Sequence, residues 1–291
     1  MKKFFLFPGL LLLLLFTGCV TDGQFQNNSG FAGKKQFNHL GIWLWRLDET
    51  IFDSYSELAQ ELGNTGIHRL YIKIGDELTV PQIWEEACSE SVAAVFAKRK
   101  IDLIGWFSFH SADNYNLPDI AEKLINNNYK GLVCDLDAEF SGKEDALGKL
   151  LENIRSVRES FHNAGNDQFK FYLKFSGKKG DYSFQGKKYS DVLDGFLPEF
   201  YFDKWPSVNL PDFENELDRL TQYYSDLNFD IPFYPVLSYE KISGDKLSVE
   251  QIDYFFKKCG DYCSIWRIPG EYTHELWGIL SSADWTMKFS D

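Results

Sequence analysis

Cysteine and histidine are scarce in this 291-residue chain, and neither is arranged as a metal or redox motif. Of the five cysteines, Cys19 lies near the N-terminus; the other four match no zinc or redox spacing and have no histidine pair nearby. We therefore expect no metal ion and no other cofactor. Cys88 and Cys134 are expected to be buried thiols. Cys259 and Cys263 are close in the sequence, and an oxidising compartment could join them.

Positive charge is also in short supply. The 30 Lys and Arg residues face 43 Asp and Glu residues, which gives a formal net charge of −13 at pH 7, and no basic stripe runs along the sequence. Without Lys2 and Lys3 the net charge is −15. A chain this acidic repels phosphate backbones, so we expect no nucleic acid among its partners.

The N-terminal hydrophobic run is too short to span a bilayer. It covers residues 4–16, follows two lysines and ends at small residues, which is the pattern of a signal peptide over residues 1–18. The segment that ends at Cys19 resembles the lipobox of bacterial lipoproteins. That resemblance implies that Cys19 is acylated, with a lipid such as palmitate, and anchors an exported protein to a membrane of the cell envelope. An ordinary secretion signal and an uncleaved anchor are the alternatives.

The rest of the chain divides into a tether and one domain. Residues 19–36 contain many Asn, Gly, Gln and Lys residues and little that a core would bury, so we expect a flexible tether. Residues 37–291 number 255, which is the usual size of a single α/β barrel. No change of composition divides them, so one domain is expected.

Beyond residue 37, short runs of aromatic and β-branched residues alternate with amphipathic stretches of helical period, the pattern of repeated βα units. The eight runs are residues 40–45, 67–74, 101–109, 131–139, 169–175, 197–203, 231–239 and 262–268. Helices are expected at residues 54–62, 120–127, 143–163, 211–226, 248–259 and 273–283. Eight units predict an α/β fold closed as a (β/α)8 TIM-type barrel. A doubly wound open sheet is the alternative, but its usual glycine-rich phosphate turn is missing after the first run.

Alternation along the fourth run separates two faces. Because successive side chains of a strand point to opposite sides, Asp135, Asp137 and Glu139 share one face. The other runs supply a corresponding set of polar and aromatic residues: Trp43, Trp45, Lys73, Trp106, Ser108, His110, Tyr172, Lys174, Ser176, Tyr201, Asp203, Tyr234, Ser238, Glu240 and Trp266. The apolar faces must pack against the helices, so this set is expected to line the barrel axis, with its polar members toward the C-terminal ends of the strands.

Three carboxylates on one strand face are destabilising unless something offsets their repulsion and burial. Inward neighbours lie roughly 6.5 to 7 Å apart, close enough for carboxyl groups to raise one another's pKa. A glutamate with a raised pKa stays protonated near neutral pH and can serve as a general acid, as glycoside hydrolysis requires. A purely structural cluster, with Lys73 or Lys174 as the salt-bridge partner of Asp135 or Asp137, is the alternative.

The segment Asp135-Leu136-Asp137-Ala138-Glu139 resembles the Asp-x-Asp-x-Glu motif on the fourth strand of family 18 glycoside hydrolases, the chitinases and endo-N-acetylglucosaminidases. The resemblance implies a barrel in which Glu139 donates the proton, Asp137 orients the N-acetyl group of the substrate as the nucleophile, and Asp135 balances charge. It also implies that the partner is an N-acetylated or peptidoglycan-type glycan.

The resemblance extends to two other strands. Residues 200–203 are similar to the end of the family's sixth strand, with Asp203 in the matching place, and Trp266 matches the tryptophan beneath the reacting sugar. Phe202 stands where the family has tyrosine, so the hydrogen bond to the N-acetyl group would have to come from Tyr201. The glycine and aspartate that usually precede the strand-four motif and the Ser-x-Gly-Gly of the third strand are absent from the sequence.

Two further interpretations stay open. Glu139 and Glu240, which follows the seventh run, can act as acid/base and nucleophile of a retaining glycosidase if their carboxyl groups lie about 5 to 5.5 Å apart. Alternatively, the barrel binds carbohydrate at the cell surface without cleaving it. Aromatic residues make up 17% of the chain, and in each case Trp43, Trp45 and Trp106 are expected to contact sugar rings.

Overall fold

The computed structural model describes residues 40–65, 67–111, 116–136, 140, 143–178, 188–202, 210–239, 247–259, 263–268 and 280. Within these ranges the chain forms a closed barrel of eight parallel strands in sequence order, and the last strand pairs with the first. The predicted (β/α)8 barrel is therefore confirmed. None of the described helices has the length and apolar composition needed to cross a bilayer.

Each strand overlaps one of the eight predicted runs. The strands are β1 (Gly41–Leu44), β2 (Arg69–Asp76), β3 (Asp102–Phe109), β4 (Gly131–Leu136), β5 (Lys170–Ser176), β6 (Gly195–Phe200), β7 (Val236–Ser238) and β8 (Ser264–Trp266). The helices of the described ranges are α1 (Tyr55–Thr65), α2 (Glu90–Ala97), α3 (Leu117–Asn126), α4 (Glu144–Asn163), α5 (Leu210–Asp226) and α6 (Val249–Cys259), with a 3-10 helix at Leu47–Glu49. Helix α2 was not predicted; it begins after Ser89, whose Oγ accepts a hydrogen bond from the backbone N–H of Val92.

Several predictions concern residues outside the described ranges. These are the signal peptide at residues 1–18, the lipidation site Cys19, the tether at residues 19–36, the side chains Asp137, Glu139, Asp203 and Glu240, and, apart from Leu280, the helix at residues 273–283. They stay predictions, as does the assignment of residues 37–291 to one domain.

The larger part of the core lies between the strands and the helices. Helix α3 contributes four buried residues at helical spacing, namely Leu117, Ile120, Ala121 and Leu124. They belong to one cluster with the outward residues of the strands, such as Leu173 on β5 and Cys134 on β4. The apolar parity of each strand thus faces the helices, as expected for a barrel.

A second core cluster fills the barrel itself. Its buried members are Trp43, Tyr71, Ile104, Trp106, Val133, Tyr172, Leu197, Tyr201 and Val236. Aromatic rings take much of the space that branched aliphatic residues usually fill in such barrels. Trp43 stacks on Tyr71 with ring centroids 4.4 Å apart. The interior is therefore a packed core, and a ligand can reach it only from an end.

Two glycines make room for tyrosine rings at the N-terminal end of the barrel. A Cβ atom added to Gly41 would lie 2.5 Å from Cε2 of Tyr71, and one added to Gly195 would lie 2.4 Å from Cε2 of Tyr234. Carbon atoms that are not bonded do not approach so closely. Glycine is therefore needed at both positions so that the rings of Tyr71 and Tyr234 can pack inside the barrel.

Candidate functional site

Asp135 lies on the interior face of β4, next to the end of the strand. It is paired in register with Lys174 of β5, whose Nζ donates a hydrogen bond to Oδ1 of Asp135 at 2.8 Å. The adjacent residues of the strand, Cys134 and Leu136, are buried in the outer layer. The alternation predicted for the fourth run is therefore confirmed over the part of it that is described.

Lys174 joins three neighbouring strands. Besides Asp135 on β4, its ammonium group binds Oε1 of Glu199 on β6, and its side chain is only 4% exposed. Burial by itself lowers the pKa of this lysine, but the charges of Asp135 and Glu199 outweigh it and raise the pKa above its ordinary value. Lys174 is therefore protonated at neutral pH, which excludes it as an amine nucleophile.

An aromatic cage surrounds the ammonium group of Lys174. We define the cage as Trp43, Trp106, Tyr201 and Trp266, whose ring centroids lie 5.6, 6.0, 5.8 and 5.4 Å from Lys174 Nζ. The ring faces carry partial negative charge and attract the cation. Trp45 extends the cage, with its centroid 5.6 Å from that of Trp106 and 6.0 Å from that of Trp266.

Lys73 forms a second charged centre beside the cage. Its Nζ lies 2.9 Å from Oδ2 of Asp76 and 3.7 Å from the ring centroid of Trp45, and the side chain is 1% exposed. The rings of Trp106 and Trp84 are 4.8 and 5.4 Å from the same atom. Lys73 therefore binds Asp76 at the end of its own strand, and the predicted alternative in which it binds Asp135 is wrong.

The segment after β2 is held against β3 by carboxylates. Burial raises the pKa of Asp76, but hydrogen bonds from Lys73 and from the backbone of Leu78, and the charges of Lys73 and His110, lower it overall. Glu77 Oε2 accepts hydrogen bonds from the backbone N–H groups of His110 and Ser111 at 2.6 and 2.8 Å. His110 Nε2 lies 3.1 Å from Oδ1 of Asp76, so His110 is a residue of the rim.

The end of β6 settles which aromatic residue faces the interior. Phe202 is buried in the outer layer, where its ring centroid is 4.7 Å from that of Phe213. Tyr201 points into the barrel, with its ring 6.2 Å from that of Trp266. Tyr201, and not Phe202, is thus the aromatic residue of this strand that a ligand in the barrel can meet.

The structure brings six of the predicted site residues together in the half of the barrel toward the C-terminal ends of the strands: Asp135, Tyr201, Trp43, Trp45, Trp106 and Trp266. We call this end of the barrel the mouth. Trp43 and Trp106 are fully buried, so a sugar cannot stack on them as the structure stands, whereas Trp45 and Trp266 are partly exposed. Sequence reasoning missed three contributors. Glu199 shares the parity of Tyr201 and could have been found by alternation, whereas Asp76 and Trp84 lie at and beyond the end of β2, where alternation no longer applies.

The described cysteines carry no chemistry at the mouth. No disulfide joins them, and Cys259 and Cys263 are both buried thiols. Burial raises the pKa of the Cys88 thiol to about 11 and raises those of Cys134 and Cys259 as well. Within the described ranges no three His, Cys, Asp or Glu side chains come together as a metal site.

No protein-family model matches the sequence, and no curated protein matches it. Solved structures share its fold. The endo-β-mannanase/endo-β-glucanase of Prevotella bryantii matches with a TM-score of 0.58 and 10% identity, over 87% of this chain and 48% of that one. This chain therefore spans about half the length of the Prevotella protein.

Two further structures match over a larger share of their length. The chitinase ICChI of Ipomoea carnea has a TM-score of 0.54 and 14% identity, over 87% of this chain and 98% of that one. The spore cortex-lytic enzyme SleL of Bacillus megaterium has a TM-score of 0.51 and 9% identity, over 84% and 73%. Identities this low show the fold alone, and the chain is in this sense a (β/α)8 barrel protein.

Proposed function

We propose that this protein is a glycoside hydrolase that binds its glycan at the mouth of the barrel. The observation that carries the proposal is the pair of partly exposed rings, Trp45 and Trp266, beside the carboxylates of Asp135 and Glu199. Aromatic faces stack against the apolar faces of sugar rings, and carboxylates accept hydrogen bonds from sugar hydroxyl groups. Barrel enzymes keep their active sites at this end of the strands.

The proposed general acid is Glu139. The described interior carboxylates Asp135, Glu199 and Asp76 each already accept a hydrogen bond from a lysine ammonium group. We therefore assign proton donation to the residues that follow Asp135, where the strand-four motif has its glutamate. We assign Asp137 to orienting an N-acetyl group of the substrate and Glu139 to protonating the leaving oxygen.

N-acetylated glycans are the proposed substrate class. The strand-four motif supports this assignment, and so does the name of one structural neighbour, a chitinase. The names of two others, a mannanase/glucanase and a spore cortex-lytic enzyme, agree with carbohydrate more generally. Trp266 and Tyr201, which face each other across the cage, are the proposed contacts of the reacting sugar.

A second candidate function is glycan binding without cleavage. Lys174 neutralises part of the charge of the carboxylate cluster, and a cluster balanced in this way can hold a ligand without protonating it. The two-glutamate mechanism with Glu139 and Glu240 is the remaining enzymatic alternative. We further propose that the protein is exported and held at the cell envelope by a lipid on Cys19.

Product release by the full chain in detergent tests these proposals. The substrates are N-acetylated and non-acetylated oligosaccharides, and the variants are Glu139→Gln and Glu240→Gln. Glu216→Gln, an ion-paired residue on the exterior helix α5, is the matched control. Glu139→Gln should abolish hydrolysis and leave the melting temperature unchanged or higher, because it removes a crowded charge.

The outcomes separate the mechanisms. Loss of turnover on N-acetylated substrates in Glu139→Gln alone supports the substrate-assisted mechanism, and equal loss in both variants supports the two-glutamate mechanism. Binding without turnover in the unmodified protein would move the assignment to a glycan-binding protein. Full activity of Glu139→Gln with a marked loss of stability would show that Glu139 is structural.

A further inference from the structure

Glu199 is a carboxylate of the mouth that shares an ammonium group, that of Lys174, with the aromatic cage. It stands on β6, between the interior residues Leu197 and Tyr201, and Lys174 binds its Oε1. The same ammonium group lies 5.8 Å from the ring of Tyr201 and 5.4 Å from that of Trp266. Glu199 is therefore placed beside two rings that sugar can contact.

The salt bridge leaves part of the carboxylate for a ligand. A carboxylate can accept about four hydrogen bonds. Among the described residues, Glu199 accepts one side-chain hydrogen bond, from Lys174 to Oε1, and its side chain is 16% exposed. Lys174 fixes the position and the charge of the group, so accepting a hydrogen bond from a ligand needs little further ordering.

The charges around Lys174 also restrict which kind of sugar can bind beside it. One ammonium group lies between two carboxylates, so Lys174, Asp135 and Glu199 together carry one net negative charge. The aromatic faces around them add no positive charge. An anionic sugar such as a uronate would be repelled at this place, whereas a neutral sugar with adjacent hydroxyl groups can donate to the carboxylate.

We infer that Glu199 is a further ligand-binding residue, which accepts hydrogen bonds from hydroxyl groups of a neutral sugar stacked on Trp266 and disfavours anionic sugars. Lys174 is its positioning residue. The inference rests on the proposed function, because it takes the ligand at the mouth to be a glycan. It adds a residue and a charge preference that the strand-four motif does not supply.

Binding measurements with three oligosaccharides test the inference. Tryptophan fluorescence of the full chain in detergent is titrated with triacetylchitotriose and cellotriose as neutral probes and with trigalacturonic acid as the anionic probe. The variants are Glu199→Gln, Lys174→Met and the double variant, with Glu216→Gln as the matched control. Thermal unfolding of each protein shows whether a change in binding follows from loss of the fold.

Glu199→Gln should weaken binding of the neutral probe that the unmodified protein prefers by about tenfold to a hundredfold, the size expected for a lost charge-assisted hydrogen bond. Discrimination against trigalacturonic acid should shrink at the same time. The double variant returns the three positions to one net negative charge, as in the unmodified protein, and should still bind weakly. Lys174→Met alone should also weaken binding of the neutral probe, because Glu199 loses the ammonium group that holds it in place, and should increase discrimination against trigalacturonic acid, because one positive charge is removed.

Two results would overturn the inference. If Glu199→Gln binds the neutral probes as tightly as Glu216→Gln does, Glu199 does not contact the ligand, and the proposed function stands. If the double variant regains full affinity, Glu199 only balances the charge of Lys174. A failure of the proposed function is separate, because then the unmodified protein neither binds nor cleaves any of the oligosaccharides.

Discussion

Trp43 and Ser264 form a buried hydrogen bond across the seam that closes the barrel. Nε1 of Trp43 on β1 donates to Oγ of Ser264 on β8 at 2.8 Å. The two strands are neighbours only because the barrel closes, with Gly41 opposite Ser264 in the register. The indole that belongs to the aromatic cage is thus oriented by the last strand.

Ser264→Ala should destabilise the protein by about 1 to 3 kcal/mol, because the buried indole N–H loses its acceptor. Urea unfolding measures the change, and Ser225→Ala on the exposed surface of α5 is the control. In Trp43→Phe the serine has no indole to bind, so adding Ser264→Ala should cost less there. Strictly additive effects would show that the hydrogen bond contributes nothing.

Tyr201 and Phe202 are adjacent but face opposite sides, and their substitutions should separate binding from stability. Tyr201→Phe should weaken binding of the N-acetylated probe about tenfold with little change in stability, since Tyr201 is the proposed hydrogen-bond donor to the N-acetyl group. Phe202→Ala should lower stability by about 3 to 5 kcal/mol, because it leaves a cavity beside Phe213. Ligand affinity is measured under conditions in which both variants are folded. A loss of stability in Tyr201→Phe together with a loss of binding in Phe202→Ala would contradict the inward position of Tyr201 and the outward position of Phe202.

Gly195→Ala should destabilise the protein by about 1 to 3 kcal/mol, because the new methyl group meets the ring of Tyr234. Gly148→Ala is the matched control: it lies in α4 with nothing within 4 Å of the added Cβ, and should stabilise by about 0.5 to 1 kcal/mol. Thermal unfolding checks both. In a Tyr234→Ala background the ring is gone, so Gly195→Ala should destabilise the protein less. If Gly195→Ala lowers the stability equally in both backgrounds, the steric explanation is wrong.

Asp76 should contribute to acid sensitivity. Its pKa is lowered in the folded protein, so the stability that it contributes is present above its ordinary pKa and is lost as the pH falls through the folded value. Asp76→Asn should cost about 1 to 3 kcal/mol at pH 7, because Lys73 loses its carboxylate partner. The free energy of unfolding, measured at pH 7, 5 and 3, should then change less with pH in the variant than in the unmodified protein. An unchanged pH dependence would assign the sensitivity to other carboxylates.

The fold was predictable from the sequence because short strand-like runs and amphipathic stretches of helical period alternate along the chain, with eight such runs. The faces of the strands were predictable for the same reason: Asp135, Lys174 and Trp266 follow from alternation alone. The sequence offered both Lys73 and Lys174 as salt-bridge partners of Asp135, and periodicity did not choose between them. Only the order of strands decides it, since β5 is next to β4 and carries Lys174, while β3 separates β4 from Lys73 on β2.

Other parts of the site lay beyond sequence reasoning for different reasons. Alternation places Glu199 on the interior face, but its ion pair joins it to a neighbouring strand and is seen only in the structure. Trp84 approaches Lys73 through a loop whose path no periodicity describes. Phe202 was placed by motif similarity at the position of a ligand-binding tyrosine, and the pleat of the strand turns it outward instead.

The direction of β1 decides at which end of the barrel the preceding chain is attached. β1 starts at Gly41 and runs toward the mouth, so the preceding chain joins the barrel at the opposite end, where the rings of Tyr71 and Tyr234 pack. With a lipid on Cys19, as proposed, the chain from there to Gly41 could reach at most roughly 75 Å. A flexible tether of that length, joined opposite the mouth, would leave the mouth free to face polymers on the side away from the lipid.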